Sequence, residues 1–316
     1  MRATVEPRTT GGRAAIIDLP TPTRSLRPFG VLAWSGAAGV LLAIVWSPSF
    51  VDQTIGENGA TTILGYSVTT TPLTSSVMAT AFAFVSGLTG TFTACNVAGF
   101  SALGPLSVDR RPTWSAAVRS LAWLAAGTII VAGAYGAVAA LIGPSIPQLS
   151  SALVGRLPVR LIQSMVVFGL LGLTLAIAGL AAAGLVKNPL GRVLARRPAI
   201  RLVLVGGLIG AFLVGRPFPL FVKIFQYAAS THNPALGALT FVLQSLGNIA
   251  VMALLFLGIT AIAGGRLRRW LALRPDRITR LNATVMVAAG VFLLAYWCIR
   301  LPAYFGIGWW PKVPWS

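Results

Sequence analysis

The chain has 316 residues, 56% hydrophobic and only 10% charged, with a mean hydropathy of +0.81. That composition excludes a soluble domain and points to an all-α integral membrane protein. Its 25 basic and six acidic residues give a net charge of +19, but the basic residues fall between apolar runs, so they read as orientation signals and not as a nucleic-acid surface.

Residues 1–27, with Arg2, Arg8, Arg13, Arg24 and Arg27 among Pro, Thr and Gly, read as a disordered basic cytoplasmic arm. The apolar run 28–50 follows. Its long polar lead-in favours an uncleaved signal anchor over a cleaved signal peptide, and it stands as an extra transmembrane helix. Six more spans are predicted at 76–106, 114–142, 161–186, 202–227, 235–263 and 283–305, each long enough for a bilayer core of about 20 helical residues. The connection 51–75 carries Asp52 and Glu57 and no Lys or Arg. Turn 107–113 and loops 187–201 and 264–282 are basic. Seven spans in the cell membrane, amino terminus cytoplasmic and carboxyl terminus outside, satisfy this pattern, with Arg156 and Arg160 as the exception. Residues 306–316, with Trp309, Trp310 and Trp315, form an outer aromatic tail suited to the interface.

Residues 87–92 read Gly-Leu-Thr-Gly-Thr-Phe and residues 207–212 read Gly-Leu-Ile-Gly-Ala-Phe. Extended three residues, the two copies set Cys95 opposite Gly215 and Asn96 opposite Arg216, 120 residues apart. Nearly the same offset carries the third and fourth spans onto the sixth and seventh. Residues 76–186 and 202–305 are therefore predicted to be two three-helix units of opposite orientation, an arrangement that builds sites from broken helices at the bilayer midplane.

Polar residues inside these spans are the candidate site. Ser86, Thr89, Thr91, Thr93, Cys95 and Asn96 crowd the second span. In the fifth, Gly215-Arg216-Pro217-Phe218-Pro219 removes two backbone donors and predicts a helix break that frees carbonyls. Such a break is tolerated in a membrane only under cover of protein or water. Arg216 lies deep in its span, with no carboxylate in any span to pair with. Its expected partners are freed carbonyls, water, a substrate anion or another subunit, the alternative being that it snorkels outward, helped by Lys223. Arg119 and Arg300, nearer span ends, are expected to snorkel. Gln244 and Asn248, four apart, share one helical face; they line the same cavity or bond a neighbouring helix. Cys95 becomes reactive if Arg216 supplies positive potential. Cys298, in a bulky apolar context, reads as inert, and a Cys95–Cys298 pairing stays open. The single histidine, His232, rules out a bis-histidine haem; no metal site and no cofactor are expected.

These residues resemble the CcdA/DsbD family of membrane thiol–disulfide carriers. The segment Ser86–Pro105 with Ala94-Cys95-Asn96 is similar to that family's first cysteine helix, Gly210–Phe221 to the second, and Asn233–Gly247 to the helix after it. The resemblance implies an inverted three-plus-three fold, thiol–disulfide transfer or cytochrome c biogenesis across the membrane, and a thioredoxin-like or cytochrome c assembly protein as partner beside the lipid bilayer. Carried over, Cys95 takes the first cysteine's role, while the second falls on Gly215, which has no sulfur, and a lone thiol cannot complete dithiol exchange. The alternatives are a transporter for a small solute or soft metal ion through a cavity lined by Cys95, Asn96, Thr91, Gly215, Arg216, Pro217, Pro219, Gln244 and Asn248, or a non-catalytic subunit or assembly factor of a membrane complex.

Overall fold

The computed structural model describes residues 28–91, 114–187, 198–272, 275–311 and 313. The basic arm, Cys95 and Asn96 lie outside the described residues. The described residues are mostly helical, with one small antiparallel hairpin among them pairing Leu153 with Pro158 and Val154 with Leu157. Helix α1 is Pro28–Val45, α2 Phe50–Leu64 and α3 Ser76–Thr89. Helix α4 is Trp114–Ile142, α5 Val159–Ala182, α6 Pro198–Ala211 and α7 Pro219–Thr231. Helix α8 is Pro234–Ala272. Helix α9 is Pro275–Leu293, prolonged by a π-helical stretch to Arg300 and a last turn to Tyr304.

Four stretches are long and apolar enough to cross a bilayer alone: Val118–Ser145, Val159–Ala182, Pro234–Leu255 and Arg280–Tyr304. Two bent pairs pass when both arms are counted, α1 with α2 at 70° and α6 with α7 at 85°. The described residues thus hold four to six candidate spans, plus the shorter apolar α3. One expectation is corrected here: the polar connection 51–75 is helical through Leu64. The fifth span is broken as expected, into two helices nearly at right angles.

Local chemistry explains the boundaries. Ser75 caps α3, its hydroxyl accepting from Met78 N at 3.2 Å. Asn233 Oδ1 accepts from Ala235 N and Leu236 N at 3.0 and 3.2 Å, with Pro234 as first helical residue, a start worth about 1 kcal/mol. Helix α7 ends where His232 takes a left-handed φ of 51°.

Glycines set the packing. A Cβ at Gly87 of α3 would lie 2.0 Å from the carbonyl oxygen of Gln244 and 3.0 Å from Asn248 N on α8; one at Gly206 of α6 would lie 1.9 Å from the carbonyl oxygen of Leu124 and 3.1 Å from Thr128 N on α4. The reverse contacts match too. Gly247 faces Phe84 and Leu88, and Gly127 faces Val203 and Gly207. Gly136 and Gly237 bring α4 against α8, and Gly172 and Gly290 bring α5 against α9. With no driving force from water inside lipid, backbone approach of this kind is what holds helices together. An aromatic cluster of Phe82, Phe221, Phe225 and Phe241 fills the centre, and a second core joins Ala43, Phe168, Phe212 and Phe292.

Arg300 does not snorkel. It is 1% exposed, and Nη1 donates to the carbonyl oxygens of Ala43 at 2.5 Å and Trp46 at 2.8 Å. Nε and Nη2 donate to Tyr304 Oη at 3.2 and 3.0 Å. The guanidinium therefore caps the carbonyl end of α1, where the helix dipole favours a cation.

Candidate site at the broken helix

The break forms as the prolines require. After Ala211 the chain tightens into a 3₁₀ turn, Phe212–Gly215. Arg216 (φ −85°, ψ 111°) and Phe218 (φ −64°, ψ 136°) are extended, and Pro219 opens α7. Two carbonyls at the break, those of Val214 and Arg216, have side-chain donors. Gln163 Nε2 donates to Val214 O at 2.6 Å and to Tyr135 Oη at 3.1 Å. Tyr135 Oη donates to Val214 O at 3.4 Å, and Gln148 Nε2 donates to Arg216 O at 2.6 Å. The amide oxygens of Gln148 and Gln163 stay buried without a partner.

The Arg216 side chain is buried at 9% exposure. Nη2 donates to Gly90 O at 3.2 Å, and the guanidinium lies 4.2 Å from the Phe221 ring centroid and 5.5 Å from that of Phe218. The broken helix of the second half thus touches the end of α3 directly. Its carbonyl partner matches one of the expected alternatives; the expectation that no carboxylate could serve it is corrected. Asp52, on α2, lies within electrostatic reach of Arg216. Helix α2 roofs the break: a Cβ at Gly56 would meet the Phe218 ring at 2.4 Å, and one at Gly59 would meet Thr89 at 3.1 Å. This is the protein cover that exposed backbone demands in lipid. Lys223 points elsewhere: its ammonium donates to the carbonyls of Val68 and Thr71, tying the segment after α2 to α7.

The other predicted positions divide. Thr91 donates within its own turn to Leu88 O at 2.9 Å and reaches Asn248 O at 3.4 Å, so Thr91 and Asn248 meet across α3 and α8. Ser86 and Thr89 bond carbonyls of their own helix, the usual resolution for such hydroxyls. Gly215 packs on Val167 and Phe168 of α5. Pro217 is half-buried and Pro219 exposed. Gln244, 1% exposed, has neither amide atom bonded, and the neighbouring Ser245 hydroxyl is also unpartnered. Cys298 is a free, half-buried thiol donating to Met165 O at 3.7 Å. Among the described residues no three His, Cys, Asp or Glu come together. The break offers amides, hydroxyls and a guanidinium, a set that binds through hydrogen bonds and positive charge.

Asp52, Tyr135, Gln148 and Gln163 escaped the sequence reading. Gln163 carried a usable signal, a lone amide among Val159–Ala182, where a polar side chain in lipid needs a partner. Comparison with protein families, curated proteins and solved structures gives no match to this chain.

Proposed function

We propose that this chain is a multi-pass carrier of the cell membrane, with seven spans and an inverted pair of three-helix units, in which Cys95 exchanges disulfides with a protein thiol partner. The units are α3 to α5 and α6 to α9, with α1 outside them. Their support is the matched glycine contacts, in which Gly87 meets Gln244 and Asn248 much as Gly206 meets Leu124 and Thr128. Under this reading Gly206, one residue before the sequence-based counterpart Gly207, takes the role of Gly87.

The observation that carries the chemistry is the bond from Arg216 Nη2 to Gly90 O. It brings a buried guanidinium to Gly90 at the end of α3, a few residues before Cys95 in the chain, and a cation close to a cysteine favours the thiolate, the attacking form. The thiolate would attack one sulfur of a partner disulfide, forming a mixed disulfide and releasing the other sulfur as a thiolate. Gly215 offers no second thiol, so a thiol of the partner must resolve the intermediate. This agrees with the CcdA/DsbD-like resemblance in reaction class and departs from it in needing that second thiol in trans. The test is trapping in cells: Cys95→Ser should abolish a mixed disulfide that forms in the parent chain. Failure to detect any adduct to Cys95 refutes the reading.

A second reading, solute transport through the same region, is favoured by Gln244 and Ser245, whose buried polar atoms lack partners. Under it, Cys95→Ser is silent and Gln244→Leu blocks uptake.

A further inference from the structure

Beyond the last turn of α9 the chain folds back through two left-handed glycines, Gly306 (φ 74°) and Gly308 (φ 84°). Arg156, from the hairpin loop, secures this return by donating from Nη1 to Gly306 O at 3.1 Å. The return borders a half-open cavity of about 440 Å³ whose lining includes Arg300, Ala303, Tyr304, Gly308, Trp309 and Trp310. Three features give it a chemical character. Among the described residues Arg300 is a buried cation whose hydrogen bonds go to neutral groups, two carbonyls and a phenol, and no described carboxylate bonds it directly. Trp310 has a buried indole N–H with no acceptor. Trp309 is 80% exposed at the end of a membrane-length helix, the setting of aromatic residues at headgroup depth.

We propose that this cavity binds the phosphate of a phospholipid headgroup. Taking a guanidinium out of water is costly unless its charge is compensated, and Arg–phosphate contacts are among the strong charge-assisted bonds. The aromatic walls cover the glycerol and the start of the acyl chains, and the volume suits a headgroup. The site is independent of the break at Arg216.

The test uses the full chain, purified in mild detergent and stripped of lipid. Thermal unfolding is followed with dihexanoyl phosphatidylglycerol, with dihexanoylglycerol lacking phosphate, and with inorganic phosphate. The phospholipid is expected to raise the midpoint saturably by about 4 °C, and dihexanoylglycerol to leave it unchanged. Ala303→Leu fills the cavity without touching a bond of Arg300 and should weaken the phospholipid about tenfold or more. Trp309→Ala, at an exposed position, should weaken it several-fold and serves if Ala303→Leu fails to fold. An equal shift with inorganic phosphate supports the phosphate site and assigns it to a soluble anion. No shift with either phosphate probe, or unchanged affinity in the folded variants, overturns the proposal.

Discussion

Replacing Gly206 with alanine tests the packing on which the architecture rests. The new Cβ would sit 1.9 Å from the carbonyl oxygen of Leu124, where a carbon normally keeps about 3.3 Å or more from such an oxygen. Backbone cannot swing aside as a long side chain can, so α4 and α6 must part by about 1 Å. Overpacking of this kind costs about 1–3 kcal/mol. Against it stands the gain from removing glycine's excess freedom, about 0.5–1 kcal/mol. The steric term wins. Gly36 of α1 is the control, because a Cβ there meets nothing within 4 Å and only the gain remains. The gain is common to both, so the two variants should differ by the steric term, about 1–3 kcal/mol, and shift stability in opposite directions. Gly87→Ala should behave as Gly206→Ala does, since its Cβ would come within 2.0 Å of the Gln244 carbonyl. Reversible unfolding in mixed micelles with rising dodecyl sulfate, followed by tryptophan fluorescence, reads the difference. If Gly206→Ala or Gly87→Ala unfolds as late as Gly36→Ala, the close helix crossings are absent and the matched contacts lose their meaning.

Three further outcomes are expected. Arg216→Gln should slow alkylation of Cys95 at pH 7 by about tenfold, the effect of raising a thiol by one pKa unit, while Cys298→Ala leaves that rate unchanged; mass spectrometry of maleimide adducts reads both. Gln163→Leu strips the donor from Val214 O and Tyr135 Oη and should destabilise by about 2–3 kcal/mol in the same micelle assay, because a buried carbonyl loses its strongest partner. Lys223→Met releases the carbonyls of Val68 and Thr71 and should make residues 65–75 cleavable by protease several times faster, with cleavage elsewhere unaltered.

What the sequence revealed and what it hid follow from the range of each signal. The break at Arg216 was legible because proline acts on its own backbone, and the apolar spans were legible because lipid imposes length and composition. Helix α2 was not, since Asp52, Gln53, Thr54, Glu57 and Asn58 look like an aqueous loop. Its observed place depends on Gly56 fitting against Phe218 and Gly59 against Thr89, contacts between distant parts of the chain. Arg300 misled for the same reason: its distance from the span end suggested escape to solvent, yet its acceptors, Ala43 and Trp46, lie some 250 residues earlier. Which of the adjacent Gly206 and Gly207 makes the close approach to Leu124 was hidden as well, because only the facing helix selects between them. Cys95 and Asn96, central to the sequence reading, lie outside the described residues.

The clasp between Arg300 and the end of α1 has a consequence for biogenesis. Helix α1 is fastened by a residue made more than 250 positions after it, and Gly39 seats it on Ala288 and Val291 of that same later helix. Until those residues emerge, α1 must wait in the bilayer with its terminal carbonyls unfastened. A nascent chain halted before residue 280 should therefore leave α1 open to crosslinking by lipid or insertion machinery, and a chain in which Arg300 has emerged should withdraw it.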